Sequence, residues 1–160
     1  MTVPVNIVVV SDRVYEGLAE DASGSLAKRI VEEKGFKVER FTVIPNSHRE
    51  ILRVLRSANS RVLIFIGGTG PGPRDITVDV ISQVAWRHLP GFGELFRAKS
   101  FEAKGYRGVL TRSELFILHD GKIAVCLPGS PEAVELGLNI LLNMIEHLVE
   151  EVDRFEGLHK

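Results

Sequence analysis

Val62-Leu63-Ile64-Phe65-Ile66-Gly67-Gly68-Thr69-Gly70-Pro71-Gly72-Pro73-Arg74-Asp75 is an apolar run that empties into a glycine-rich loop. Five apolar residues in succession, with no polar alternation, predict a strand buried on both faces of a sheet. Glycines directly behind such a strand let the main chain pass close to a ligand, and their N–H groups can converge on phosphate oxygens. The loop is not a P-loop, because Pro73-Arg74 stand where Lys-Ser/Thr is required, and the G-x-G-x-x-G spacing of dinucleotide folds is absent. Pro71 and Pro73 remove two donors, so only the first half can cradle an anion. Arg74 supplies a fork that matches phosphate, and Asp75 a hard oxygen suited to Mg2+. The competing reading is a plain glycine turn in which Asp75 only caps the helix that follows.

Outward from this stretch, Asn6–Val10 and Ile123–Leu127 repeat the pattern of a doubly buried strand, while Lys37–Val43 alternates more and reads as a strand nearer the edge. Helical patterns lie between them. Ala22–Lys34 turns Leu26, Ile30 and Val31 inward and stops at Gly35. Ser47-His48-Arg49-Glu50 is a capping box opening a helix with Ile51, Leu52 and Leu55 on its inner face. Thr77–Trp86 and Gly93–Ala103 read as further helices. Asp120-Gly121 is a hairpin turn joining Leu115–Leu118 to Ile123–Leu127 as an antiparallel pair. The last helix starts at Pro131 and runs to about Val152; it is apolar on two sides, as for a helix that is sandwiched or presented to another subunit. Strand–helix–strand–helix–strand in the first 66 residues predicts right-handed crossovers. The expected fold is α/β: one three-layer αβα domain over residues 1–160, mostly parallel, with an antiparallel edge hairpin.

Twenty Lys and Arg against 21 Asp and Glu leave a formal charge of -1, which excludes a generally basic nucleic-acid binder. No apolar run approaches the roughly 20 residues of a membrane span, and the N-terminus shows no basic leader. Lone Cys126 excludes an internal disulfide and reads as a core thiol. The expectation is a cytoplasmic protein with no nucleic-acid or membrane partner. His48, His88, His119, His147 and His159 are isolated from one another in sequence, so no zinc site is expected.

Ligands of open parallel sheets bind beyond the carboxyl ends of the strands. Besides the glycine loop, three segments leave such ends: Ser11-Asp12-Arg13, Pro45-Asn46-Ser47 and Pro128-Gly129-Ser130-Pro131. Asp12 can hold a metal or a ligand hydroxyl, or cap the following turn. Asn46 has a turn role available. Pro128–Pro131 leads into a helix, whose first N–H groups point at any bound anion. Arg97 and Arg112 read either as surface charge or as parts of a cationic pocket.

Taken together, Ser11-Asp12, Asp21-x-Ser23-Gly24, Gly67-Gly68-Thr69-Gly70, Arg74-Asp75-x-Thr77, Leu89-Pro90-Gly91-Phe92-Gly93, Phe96-Arg97-x-x-Ser100, Thr111-Arg112-Ser113 and Leu127-Pro128-Gly129-Ser130-Pro131 occur in an order that resembles the MoaB/Mog family. These are molybdenum-cofactor biosynthesis proteins, similar also to the G domains of gephyrin and its plant counterpart. The resemblance runs from about Val5 to His147. It implies an αβα fold, assembled as a homotrimer and in some members a hexamer. It also implies adenylyl transfer from MgATP to the terminal phosphate of molybdopterin, giving adenylyl-molybdopterin and pyrophosphate.

Carried onto this chain, the resemblance places Gly67, Gly68, Thr69 and Gly70 along the nucleotide or pterin pocket and makes Asp75 the essential carboxylate. Ser100 and Arg112 contact ligand, and Pro128, Gly129 and Ser130 form the opposite wall. The chain departs from the pattern at Asn46, where many members carry Asp, and at Thr77-Val78-Asp79, where Thr-Pro-Glu is usual. A monoester phosphate with a second pKa of about 6 is already ionised and needs no base. The site must instead overcome repulsion between two polyanions. Asp75, Asn46 and Asp12 are accordingly the catalytic candidates, with Mg2+ on Asp75. Ser11, Arg74 and Asp79 complete the binding set, and Arg74, Arg97 and Arg112 form its cationic side. Two other readings share the fold: a molybdopterin-binding scaffold that does not turn over, and a nucleotide hydrolase.

Overall fold

A computed structural model describes residues 3–154. Six strands form one sheet in the order β2-β1-β3-β6-β5-β4. Their ranges are β1 Pro4–Val10, β2 Lys37–Ile44, β3 Val62–Ile66, β4 Arg87–Leu89, β5 Leu115–Ile117 and β6 Ile123–Leu127. The first three and β6 run parallel; Val5 lies opposite Val62, and Val62 opposite Ile123. β5 runs antiparallel to both β6 and β4. The helices are α1 Asp12–Tyr15, α2 Ala22–Glu33, α3 His48–Ser57, α4 Thr77–Val84, α5 Pro90–Lys104, α6 Pro131–Leu142 and α7 Ile145–Val152, with a 3-10 turn over Gly105–Val109.

Strand periodicity assigns the layers. On β3, Val62, Ile64 and Ile66 point to a core shared with α2, α5, α6 and α7. Leu63 and Phe65 point the other way, to Ile51 and Leu55 of α3 and Ile81 of α4. The unbroken apolar runs are therefore two interleaved core faces, as expected for strands covered on both sides. Cys126 lies in the second core, where burial pushes its thiol far above the ordinary range, so it is unreactive. Among the described residues, no helix is long and apolar enough to cross a membrane.

Several expectations needed correction. The single helix expected from Pro131 to Val152 is two, because the Asn143 side-chain amide donates to the Asn139 carbonyl (2.6 Å) and the chain restarts at Ile145. The hairpin is not itself the edge: β6 lies inside the sheet and the unforeseen β4 stands outside β5. α5 begins at Pro90 instead of Gly93, with proline in its first turn. The Ser47 cap forms, its Oγ accepting from the Glu50 N–H at 3.2 Å, but the Glu50 carboxylate turns to Arg53 instead of closing the box. On α2 the inner line is Ser23, Gly24, Ala27 and Val31, with Leu26 and Ile30 half-buried. Gly35 ends that helix at φ +89°, as its position required. His159 lies outside the described residues.

Sheet order creates the crevice that matters. The chain leaves β1 for β2 on one side and returns across it to β3 on the other, so the loops after β1 and β3 diverge at a switch point. α6 seats closely on β6 because Gly137 has no side chain; a Cβ there would stand 2.3 Å from Leu127 Cδ2. Gly137→Val is expected to cost about 1–3 kcal/mol by overpacking this contact, read as a lowered urea midpoint.

Candidate active site at the carboxyl rim of the sheet

Gly67 is wedged at the switch point. Its φ is +111°, its N–H donates to the Leu127 carbonyl at 2.8 Å, and a Cβ would fall 2.2 Å from the Val10 carbonyl oxygen. Gly68 follows at φ +71°, where a Cβ would meet Thr77 Oγ1. These two positions require glycine on both conformational and steric grounds. The loop then curls around the carboxylate of Asp75, whose Oδ2 accepts from the Gly72 N–H at 3.1 Å while its own N–H donates to the Gly72 carbonyl. The capping alternative fails here: α4 has Ile76 at its N-cap and no side-chain cap.

Arg112 holds this loop from outside. Its guanidinium donates to the Gly70 carbonyl (3.1 and 2.9 Å), to the Asp75 carbonyl (2.7 Å) and to Asp79 Oδ1 (2.6 Å). Its backbone N–H adds a bond to the Thr69 carbonyl, and Thr111 Oγ1 donates to Thr69 Oγ1. The Asp79 hydrogen bond lifts the Arg112 pKa above its ordinary value and lowers that of Asp79. The carbonyls of Gly68, Thr69, Gly70, Gly72 and Asp75 are thus taken, whereas the N–H groups of Gly68, Thr69 and Gly70 donate to no acceptor among the described residues.

Asp12 ties three loops together. Its Oδ2 accepts from Arg74 Nε (3.2 Å) and Nη2 (2.7 Å), and its Oδ1 from the Asn46 N–H (2.9 Å). Arg74, then Asn46, hold the Asp12 carboxyl below its ordinary pKa. Asp12 is therefore a loop tie in this structure, with both oxygens engaged. Ser11 caps α1, the short helix whose existence went unpredicted, by accepting from the Val14 N–H. Asn46 Oδ1 and Thr77 Oγ1, both close to where a Cβ on Gly68 would lie, are the two buried side-chain oxygens without a partner among the described residues.

Pro128-Gly129-Ser130 closes the crevice from β6. Gly129 approaches Gly67, where a Cβ would lie 4.0 Å from Gly67 Cα, and Ser130 Oγ caps α6 at the Ala133 N–H. Ser23 Oγ, from the first turn of α2, donates to the Gly129 carbonyl and pins that wall. No sequence signal marked Ser23 for this task beyond its place in the motif. Ser100 is buried on α5 and joins Glu132 and Ala133 of α6 around a cavity of about 380 Å3. Arg97 is spent within the fold: it spans the Ser113 carbonyl and the Glu114 carboxylate, which also meets His88 Nε2 at 2.9 Å.

A family described as a probable molybdopterin binding domain matches residues 6–147. The chain is 35% identical over 150 residues to a molybdopterin adenylyltransferase of Pyrococcus furiosus, covering 90% of this chain and 88% of the relative. It is 32% identical over 158 residues to molybdenum cofactor biosynthesis protein B of Halalkalibacterium halodurans, covering 94% and 91%. Its structure is similar to the crystal structure of the tungsten cofactor synthesizing protein MoaB of Pyrococcus furiosus, with a TM-score of 0.88, 33% identity, and coverage of 94% of this chain and 97% of that one.

The Asp12 tie predicts an acid limb in stability. Its carboxyl titrates lower in the folded state than its ordinary 3.8, so its contribution is complete above that value and is lost as pH falls through the folded pKa. Urea midpoints of Asp12→Asn, compared with the parent, are expected to lie lower at pH 7 and to converge with it in acid.

Proposed function

The chain belongs to the molybdopterin-binding family, and on that premise we propose that it transfers an adenylyl group from ATP to molybdopterin, the activity for which its Pyrococcus furiosus relative is named. The observation that carries this reading is the polarity of the glycine loop. With the carbonyls of Thr69, Gly70 and Asp75 held by Arg112 and the N–H groups of Gly68, Thr69 and Gly70 without an acceptor among the described residues, the first half of the loop has its main-chain donors available to an anion.

The reaction joins two polyanions. A terminal phosphate oxygen of molybdopterin forms a bond to the α-phosphorus of ATP, the bond from that phosphorus to its bridging oxygen breaks, and pyrophosphate leaves. No proton need be removed from the nucleophile. The work of this chain is alignment and charge neutralisation. Loop N–H groups hold phosphate oxygens, Pro128–Ser130 and the α6 N-terminus oppose them, and Gly67 keeps the two walls close. Ser11, Arg74, Asp79 and Ser100 belong to this reading as residues bordering the bound substrates, while Arg112 serves by orienting the loop.

Among the described residues no three His, Cys, Asp or Glu side chains form a metal cage. Asp12 and Asp79 are paired with arginines, which leaves Asp75 as the available carboxylate. One carboxylate fits Mg2+ that arrives on the phosphates of ATP, since this ion commonly takes one or two protein carboxylates and fills its shell from phosphate and water. Bound there, Mg2+ would neutralise charge on the departing pyrophosphate.

Asn46 favours a second reading, a molybdopterin-binding protein without turnover, because the carboxylate many relatives carry is replaced by a neutral amide whose Oδ1 has no partner among the described residues. Assembly as a homotrimer or a hexamer is part of the first reading. Its support is the exposed apolar set on α5 and the turn after it, with Tyr106 83% exposed beside Phe101, and the half-buried outer stripe Leu136, Ile140, Met144 and Leu148. A cytoplasmic setting suits the lone buried thiol.

With MgATP and molybdopterin, the purified protein is expected to release pyrophosphate, and Asp75→Ala to lower that release about 100-fold or more with unchanged circular dichroism. Pyrophosphate release absent from the parent, with molybdopterin still bound, would select the non-catalytic reading. Light scattering is expected to return the mass of three chains or six.

A further inference from the structure

α3 and α4 start at the rim, after Ser47 and Ile76, and run to the opposite end of the sheet. There their last turns meet the β5–β6 hairpin around a cavity of about 490 Å3. Its walls are Leu52, Leu55, Val84 and Leu118, with Arg56 and His119 at the lip. Beside it stands Trp86, 54% exposed, its ring centroid 6.1 Å from that of His119 and inclined by 27°. The Arg87 guanidinium lies 4.1 Å over the same indole. A second cavity of about 370 Å3 is lined by Arg49, Arg53, Arg56 and Ser57, so Arg56 belongs to both.

These three arginines recur at i, i+4 and i+7 along one face of α3, a track of roughly 10 Å. Glu50 is the one acid on this helix, 3.4 Å from Arg53. Arg49 and Arg56 have no acidic partner among the described residues, and Asp120 at the lip is matched by Lys122 at 2.8 Å. An apolar recess thus opens onto a line of three guanidiniums, two of them without an acidic partner among the described residues, in a chain whose net charge is -1. Adenylyl transfer at the rim uses none of it.

We infer that this surface docks an acidic peptide segment of a partner protein, a bulky apolar side chain filling the recess and carboxylates following along the arginine track. A guanidinium pairs bidentately with carboxylate, and a confined apolar pocket beside exposed Trp and Arg is the usual make-up of an interface hot spot. A lipid surface would call for a broad apolar face, whereas this one is a single recess large enough for a side chain or two. So small a footprint gives weak, exchanging affinity. Docking at this end leaves the carboxyl rim open.

Fluorescence anisotropy tests this with a dye-labelled probe of Trp-Leu followed by four glutamates. Control probes carry Ser-Ser for Trp-Leu, or lysines for the glutamates. Saturable micromolar binding is expected, weakened by salt and about tenfold weaker for Arg56→Glu and for the Ser-Ser probe, a change of about 1.4 kcal/mol. Pyrophosphate release and oligomeric mass are expected to stay at parent values in Arg56→Glu, with Arg56→Gln as the milder variant if circular dichroism shows the first misfolds. The inference is overturned by equal binding of the Ser-Ser or lysine probe, by unchanged binding in both Arg56 variants, or by no saturation below millimolar probe. It is overturned equally by preferential sedimentation with phosphatidylserine–phosphatidylcholine vesicles, or by a changed mass, which would make the face a contact between copies.

Discussion

The guanidinium of Arg112 decides which side of the glycine loop faces the crevice. A peptide unit has two poles, and a glycine-rich loop is free to present either. By taking the Gly70 and Asp75 carbonyls into its fork, and the Thr69 carbonyl through its own N–H, Arg112 commits the loop to showing donors. The same residue is fixed in turn by Asp79. An arginine that looks like an anion ligand in the sequence thus spends its guanidinium on two loop carbonyls and on Asp79.

A comparable economy governs the neighbouring charges. Asp12 gathers the loops after β1, β2 and β3 by accepting from Asn46 and Arg74. Its oxygens are then committed, and a second carboxylate at position 46 would face the first at close range, raising the pKa of one of them. The amide avoids that conflict, and the N–H that Asp12 accepts at this residue is the main chain's own. Neutrality at 46 is thus of a piece with the surrounding network, and it leaves Asp75 as the acid that is not paired to an arginine.

The central strands and their glycine exits were legible because continuous apolar runs, helix caps and left-handed glycines are local signals: β3 and β6 begin and end where periodicity placed them. β4 was not legible, since Arg87-His88-Leu89 has no alternation and forms only because β5 offers an open edge. Nor was the break at Asn143, which depends on one side-chain amide competing for a helix carbonyl. At the rim, residue types and spacing singled out segments that the fold does bring together, Gly129 beside Gly67 and Asp75 inside the glycine loop. They could not say that Arg97 and Arg112 spend their donors internally, because who satisfies a guanidinium is settled by partners 16 to 42 residues away in the chain.

The two margins of the sheet end very differently, and this bears on how the protein survives at high concentration. A strand margin with free N–H and C=O groups is a template for stacking against a neighbour. β4 offers three residues, too few to seed a ladder, while the longer β2 margin carries Lys37, Glu39 and Arg40 within its exposed length. Mixed charge on one margin and brevity on the other discourage sheet-to-sheet polymerisation, which leaves the helical faces as the surfaces where copies could meet without building a ladder.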